Sequence, residues 1–381
     1  MATRTWNATT NTDFETDSNW GAGGHAHAGD TIIIASATAP TTTRPAAGAF
    51  SFIVTSDLVI IELGDYIDCE GGAATIGDVL VISAGADVSC DYPVGGALVV
   101  TSGVYRHNNI GGIAGTLDVG PTGLLEFESQ ATVTLAATVA GTLVVPAATT
   151  ITFAAGLVLN GGTLGCVAAG SDVTVEGAAG ITGTGTVILN ATSVCGGRIN
   201  MTSCTWTVTA GARWVIGTAG AQSLGGSAAN LDLEFNLAAN TFSLSDAIVR
   251  DVTVTDGTPT LTNLTCRTLT LAAAKTLNLG GFVRLGASPV FGAAAAVHLT
   301  NAAIIPTASI TFDAVALGAC DHTTCCMFDN GAAVLIVKNL PAQTTPIQAY
   351  SCAATADGGG NAANSIVFHA HPSAVPTGAQ P

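Results

Sequence analysis

The chain has 381 residues, 48% of them hydrophobic but only 5% aromatic and 9% charged, with 46 Gly, 13 Pro and a formal net charge of −16. Ordinary soluble domains carry about 25% charged residues, so small uncharged residues, mostly Ala, Thr, Val and Gly, fill the deficit; this mixture disfavours long helices and suits pleated strands. With 26 acidic against 10 basic residues and no Lys/Arg cluster, the chain lacks the counter-charge that a phosphate backbone requires, which argues against nucleic acid as a partner. The start, Met1-Ala2-Thr3-Arg4-Thr5-Trp6, lacks the basic and then apolar stretch of a secretory signal, so a signal was either removed or never present.

In chain order, Thr5-Trp6-Asn7 and Ser18-Asn19-Trp20 precede Gly29-Asp30 and the aliphatic run Thr31-Ile32-Ile33-Ile34. From about Thr31 the chain becomes a succession of short strand-like runs separated by Gly, Asn, Asp or Ala-Gly. Among them are Leu58-Val59-Ile60-Ile61, Val79-Leu80-Val81-Ile82, Leu98-Val99-Val100, Leu124-Leu125-Glu126-Phe127 and Leu231-Asp232-Leu233-Glu234-Phe235. No charge occurs from Ser129 to Ser171, yet a membrane span is excluded there. Thr132-Val133-Thr134-Leu135 and Thr150-Ile151-Thr152-Phe153 alternate polar with apolar, and Gly141, Pro146 and Gly156 interrupt the run.

A recurring tripeptide, Gly115-Thr116-Leu117, Gly141-Thr142-Leu143, Gly162-Thr163-Leu164 and Gly185-Thr186-Val187, sets intervals of 26, 21 and 23 residues. Imperfect repeats of this length with Gly-rich corners predict an all-β fold, a right-handed parallel β-helix. Inside such a solenoid small aliphatic residues stack in columns, and rungs of about 23 residues spaced by about 4.8 Å give a rod on the order of 60 Å long. An antiparallel sandwich would need regular two-residue Asn-Gly or Asp-Gly turns, and in the repeat region Asn160-Gly161 and Asp256-Gly257 stand alone. We therefore expect residues 1–30 to form an N-terminal cap or attachment segment and residues 31–317 the β-helix. Residues 318–381, where the texture changes around Cys320-Asp321-His322, are expected to form a C-terminal cap or small terminal domain.

The opening segment resembles that of bacterial and bacteriophage β-helix surface proteins, the tailspike- and fibre-like appendage proteins. There a Thr-Trp start, an Asn-Trp and a Gly-Asp before an aliphatic strand lead into the first rung. The match covers about the first 34 residues. In physical terms Trp6 and Trp20 would plug the open core while Asp30 accepts hydrogen bonds from turn amides.

Ten cysteines raise disulfide and metal chemistry. Cys69 and Cys90, 21 residues apart, can stack one rung above another as a disulfide or as two buried thiols. Cys320, Cys325, Cys326 and Cys352 with His322 lack the paired Cys-x2-Cys of structural zinc sites, so local disulfides or free thiols fit them better. In His369-Ala370-His371 two imidazoles face one way on a strand, so three chains on a threefold axis would offer six nitrogens to one transition-metal ion. That spacing resembles the metal-binding tips of phage long tail fibres; the alternative is an exposed tail ended by Pro372. His25-Ala26-His27 has the same spacing but sits among glycines and reads as a loop. No other cofactor is expected.

For glycans, the candidates are Tyr105, Arg106 and Asn108 in the run Tyr105 to Asn109, and Trp206 with Trp214 on adjacent strand-like runs. The run Tyr105 to Asn109 reads equally as a polar corner loop. Catalysis on acidic polysaccharides would need clustered carboxylates beside Arg or Lys, whereas Arg198, Arg213, Arg250, Arg267 and Arg284 look scattered and no acidic stripe recurs at rung spacing. No Ser-His-Asp elbow, Walker loop or dinucleotide fingerprint is present. The resemblance, with the missing signal, implies a non-enzymatic structural protein of a bacteriophage virion: a tail fibre, tailspike or head fibre on the virion surface. Such a protein would be a homotrimer touching other virion proteins and host glycans. A secreted bacterial or archaeal cell-surface filament or adhesin, set among surface-layer proteins, is the alternative, and a polysaccharide-degrading β-helix enzyme the third.

Overall fold

The computed structural model describes residues 2–313 apart from 12, 22, 28, 39–48, 61–62, 64–74, 110 and 239–240. Beyond 313 it describes the strands Met327–Asp329, Leu335–Lys338, Ile347–Tyr350, Thr355–Asp357 and Ile366–His369. Its regular structure is nearly all β, in stacked parallel coils that form a β-solenoid of about 12 turns. Among the described residues no helix is long and apolar enough to cross a membrane. The coils divide into two compact units, residues 1–197 with 201–207, and residues 198–200 with 208–381.

In the first unit Thr3–Trp6, Thr31–Ile34, Ala49–Val54, Thr75–Val81, Leu98–His107 and Leu117–Phe127 pair in succession, every ladder parallel. A second face stacks Ala131–Val133, Thr149–Phe153, Ser171–Val175 and Val194–Gly197. In the second unit one face stacks Arg213–Ile216, Ala228–Phe235, Val249–Val254 and Thr268–Leu271. Another runs from Thr241–Ser245 through Thr258–Thr262, Thr276–Leu285 and Ala296–Pro306.

Neither expected boundary interrupts this stacking. Thr3–Trp6 already pairs in parallel with Thr31–Ile34, so part of the segment assigned to the cap is a coil strand. At the other end the ladder crosses 317: Ala303 pairs with Met327, and the stack continues through Ile347–Tyr350 to Ile366–His369. Composition changes there, but the backbone pairing that defines a coil depends on amides and carbonyls rather than on side-chain texture.

The repeated tripeptide is in register at three of its four occurrences. Thr142 pairs with Thr163 and Thr163 with Thr186, which places Leu143, Leu164 and Val187 in one interior column. The first occurrence is out of step, because Leu117 aligns with Ala137 while Leu143 aligns with Leu125. The 26-residue interval therefore spans a rung plus a shift to a different stretch of the coil.

Glycine leads each stacked tripeptide for a steric reason. A Cβ on Gly162 would lie 2.7 Å from the Gly141 carbonyl oxygen and closer still to that of Val139, and one on Gly185 would strike the Gly162 oxygen. The corner carbonyl of one rung occupies the space where the next rung would carry a side chain. The second unit turns a corner in another way, through left-handed residues at Asp246, Asn263, Gly281 and Asn301, with φ of 55°, 54°, 60° and 48°. Asn, Asp and Gly are the residues that reach this region at least cost. The Asn263 carboxamide joins neighbouring rungs, accepting from the Phe282 amide at 2.9 Å and donating to Asp246 at 2.9 Å.

Two predictions follow from the register. Leu143→Asp should abolish soluble expression, because its side chain is fully buried and an unpaired carboxylate there is not hydrated, whereas Thr142→Asp, on the partly exposed side, should fold; soluble yield and circular dichroism compare them. Gly162→Ala should lower the unfolding free energy by about 2 kcal/mol or more, a cost set by carbonyl displacement and measurable by denaturant titration.

Candidate functional site

The N-terminal segment is a built aromatic cluster. Trp6, Phe14 and Trp20 are buried, the Trp6 and Trp20 ring centres lie 5.0 Å apart, and Phe14 meets Trp20 edge-on at 4.8 Å. Both indoles donate to carbonyls, Trp6 to Thr38 at 2.7 Å and Trp20 to Phe14 at 2.6 Å. The residue before Trp20 is the hub of the loop. Fully buried Asn19 accepts from the amides of Thr10 and Asn11 and donates to the Asn11 side chain and the Asp13 carbonyl, so its amide group is satisfied on both sides. Asp30 accepts from the Ala2 amide at 2.6 Å and the His27 amide at 3.2 Å. Burial raises its pKa, but these amides and the nearby Arg4 outweigh burial and hold the carboxyl below the usual range.

Two of the proposed glycan residues lie in the core. Tyr105, Arg106 and His107 lie on the strand Leu98–His107 rather than in a corner loop, and the alternation of that strand sends Tyr105 inward and Arg106 outward. Tyr105 and Trp214 are fully buried core side chains, so neither ring presents a face to a sugar. Trp206 is half-buried on its strand and Asn108 is exposed. Arg106 is held by Asp87 and by Glu126, the latter at 2.9 Å from its Nε.

His107 follows Tyr105 into the core, stacking on it at 6.3 Å with Phe127 edge-on at 5.9 Å. Among the described residues neither ring nitrogen meets a hydrogen-bond partner of normal geometry. Burial pushes its pKa down to about 4, against the opposing pull of the Asn109 backbone and Asp91. It is a core residue kept neutral by exclusion of water.

The arginines that look scattered in the sequence are ordered by the coil. Asp232 and Asp251 are register partners on successive rungs. A shift in that ladder places Arg250 and Asp251 both outward, and Arg250 binds Asp232 while its Nε lies 3.4 Å from Asp251. Arg267, one rung on, also binds Asp251. Burial raises the Asp251 pKa, but the bonds from Arg267 and the Thr268 amide, with the Arg250 charge, outweigh it. Beside this chain Arg213 pairs with Glu234 at 2.8 Å and Lys275 with Asp256 at 2.6 Å. The two acids meet on successive rungs, but the column runs Arg213–Asp232–Asp251–Thr268, so it is flanked by Arg and Thr rather than continued by further acids. The missed signal was an interval of 16 to 21 residues between opposite charges, within two residues of the local rung length of 17 to 19.

Cys90 is buried, whereas Cys69 lies outside the described residues, as do Cys320, His322, Cys325, Cys326, Cys352 and His371. His369 ends the strand Ile366–His369, in register with Tyr350. A cysteine pair the sequence did not single out is Cys166 and Cys195, buried with sulfurs 4.0 Å apart; their mutual hydrogen bond and burial raise the Cys166 pKa. Burial pushes Cys204 and Cys266 up to about 12, so these thiols behave as small apolar side chains. Among the described residues no group of three or more His, Cys, Asp or Glu side chains is arranged around a metal position. No family model, curated protein or solved structure matches the chain.

The buried imidazole predicts a pH dependence with a definite sign. The unfolded chain binds a proton on His107 below about pH 6.5 and the folded chain only near pH 4. Stability should therefore be flat above pH 6.5 and fall between pH 6.5 and 4 by about 1.4 kcal/mol per pH unit. His107→Leu should flatten that window, as measured by urea unfolding at pH 7, 6 and 5.

Proposed function

We propose that the chain is a non-enzymatic structural protein of a bacteriophage virion, a tail fibre, tailspike or head fibre at the virion surface that self-associates as a homotrimer. The observation that carries the structural reading is how the chain uses its cations. Arg4, Arg106, Arg213, Arg250, Arg267 and Lys275 form ion pairs within the chain. Arg198 donates to the Ala221 carbonyl at 3.0 Å, and Arg284 lies over the Phe282 ring. Side chains so engaged serve the rung stack rather than a substrate acid.

The phage assignment rests on the opening segment, whose resemblance to appendage proteins is carried by Trp6, Asn19-Trp20 and Gly29-Asp30; Trp6 and Trp20 lie in the buried aromatic cluster and Asn19 is the hub of its loop. Host-glycan contact, in this reading, falls to outward groups such as Trp206 and Asn108 rather than to Tyr105 or Trp214. The test is localisation: antibody against the recombinant chain should decorate purified virions at a fibre or spike in electron micrographs, and light scattering should give a trimer mass. Labelling confined to the cell surface of an uninfected producer would replace the virion reading with that of a surface filament. Release of oligosaccharides from a capsular polysaccharide panel would refute the non-enzymatic assignment.

A further inference from the structure

The other His-x-His pair, in the N-terminal segment, has a geometry that the sequence reading as a loop does not anticipate. The ring centres of His25 and His27 lie 4.6 Å apart with planes inclined at 62°. A metal ion about 2.1 Å from one nitrogen of each ring sits about 3.2 Å from each ring centre, so two imidazoles at a cis angle of about 90° have centres about 4.5 Å apart. Tetrahedral ligation would open that separation to about 5.2 Å. The observed spacing fits the right-angled arrangement of square-planar, tetragonal or octahedral ions.

The second observation is what holds His25. Its Nδ1 lies 3.1 Å from Asp17 Oδ1, and its backbone N–H donates to the same oxygen at 3.1 Å. A carboxylate on one imidazole nitrogen is the outer partner that metal-binding histidines characteristically have, because it orients the ring and leaves the other nitrogen for the ion. The preceding turn is shaped to allow this. Gly24 has φ +80°, and a Cβ there would lie 2.9 Å from Asp17 Oδ1, so a side chain at this position would obstruct the carboxylate that anchors His25. His25 is half-buried and His27 exposed, so both rings lie at the surface of the segment.

We propose that His25 and His27 chelate one Cu2+ or Ni2+ ion through a nitrogen of each ring, with Asp17 orienting His25 from behind and water completing the coordination. Imidazole nitrogens suit these ions, and a near-right-angle pair favours them over tetrahedral Zn2+. The proposal does not depend on the virion assignment, since it concerns side chains of the segment itself.

The test uses the untagged full chain carrying His369→Ala and His371→Ala, which removes the other His-x-His pair as a source of binding. Titration calorimetry with NiCl2 should show about one ion per chain, and the Cu2+ electron paramagnetic resonance spectrum should show hyperfine splitting from two nitrogens. Adding His27→Ala should weaken Ni2+ binding at least about tenfold and reduce the splitting to that of one nitrogen. His27 is exposed, so this variant is expected to fold, and an unchanged tryptophan emission spectrum verifies it. Asp17→Asn should weaken binding by about tenfold or more while keeping both nitrogens in the spectrum, because it removes only the orienting partner. Absence of binding in the starting chain, or equal affinity with and without His27, would overturn the proposal and leave an Asp17–His25 ion pair with a ring contact.

Discussion

The constraint on which the rest depends is the parallel backbone ladder between successive rungs. Each residue of a coil has a neighbour about 4.8 Å above and another the same distance below at an equivalent position. Whatever faces inward at one level must therefore fit against what faces inward at the next. Leu143, Leu164 and Val187 satisfy this in the apolar interior, and Gly141, Gly162 and Gly185 satisfy it at a corner where only a hydrogen fits beneath a carbonyl. The composition is a consequence: columns of Val, Leu, Ile, Ala and Thr close-pack at this spacing, and bulky or charged groups do so only where a neighbour yields space or charge.

The same spacing governs the outer surface. Two aspartates in register, such as Asp232 and Asp251, would repel, and the chain relieves this by placing Arg250 and Arg267 beside them so that each cation meets a carboxylate of the adjacent rung. Exposed ion pairs contribute little one at a time, but a chain of alternating charges fixed by a rigid ladder loses less side-chain entropy in forming. Arg106 plays the same part between Asp87 and Glu126 in the other unit. Cations used in this way tie rungs together, which is the part that the sparse charge of this protein plays in the stack.

The N-terminal segment meets a different demand. Among the described residues Thr3–Trp6 is an edge strand of its sheet, and an unpaired strand edge is a template for association. Here the edge region is furnished with the Trp6, Phe14 and Trp20 rings, a loop held by Asn19 and a carboxylate, Asp30, that gathers the amides of Ala2 and His27. The turn through Gly23 and Gly24 brings His25 onto Asp17, so the loop that carries the paired imidazoles is itself part of this construction.

The amino-acid sequence by itself determined the fold class and the inward side of the strands around Leu143. These rest on local alternation, on glycine where backbones touch, and on a repeat that recurs within a few residues of rung length. It did not determine which residues become neighbours across rungs. Rung length varies, with Thr3 stacking on Thr31 but Asp251 on Thr268, and each corner or bulge shifts the alignment by amounts that no single period describes. That is why Arg250 and Arg267 look scattered until the ladder aligns them, and why the first Gly-Thr-Leu falls out of step. Tyr105 and Trp214 look available to a ligand for a related reason: strand direction is local, but which side of a strand faces the core depends on where the preceding corner leaves the chain. The approach of His25 to His27 was likewise decided only in the folded loop, because positive-φ glycines and the Asp17 carboxylate bend the chain there in a way that strand or helix periodicity does not encode.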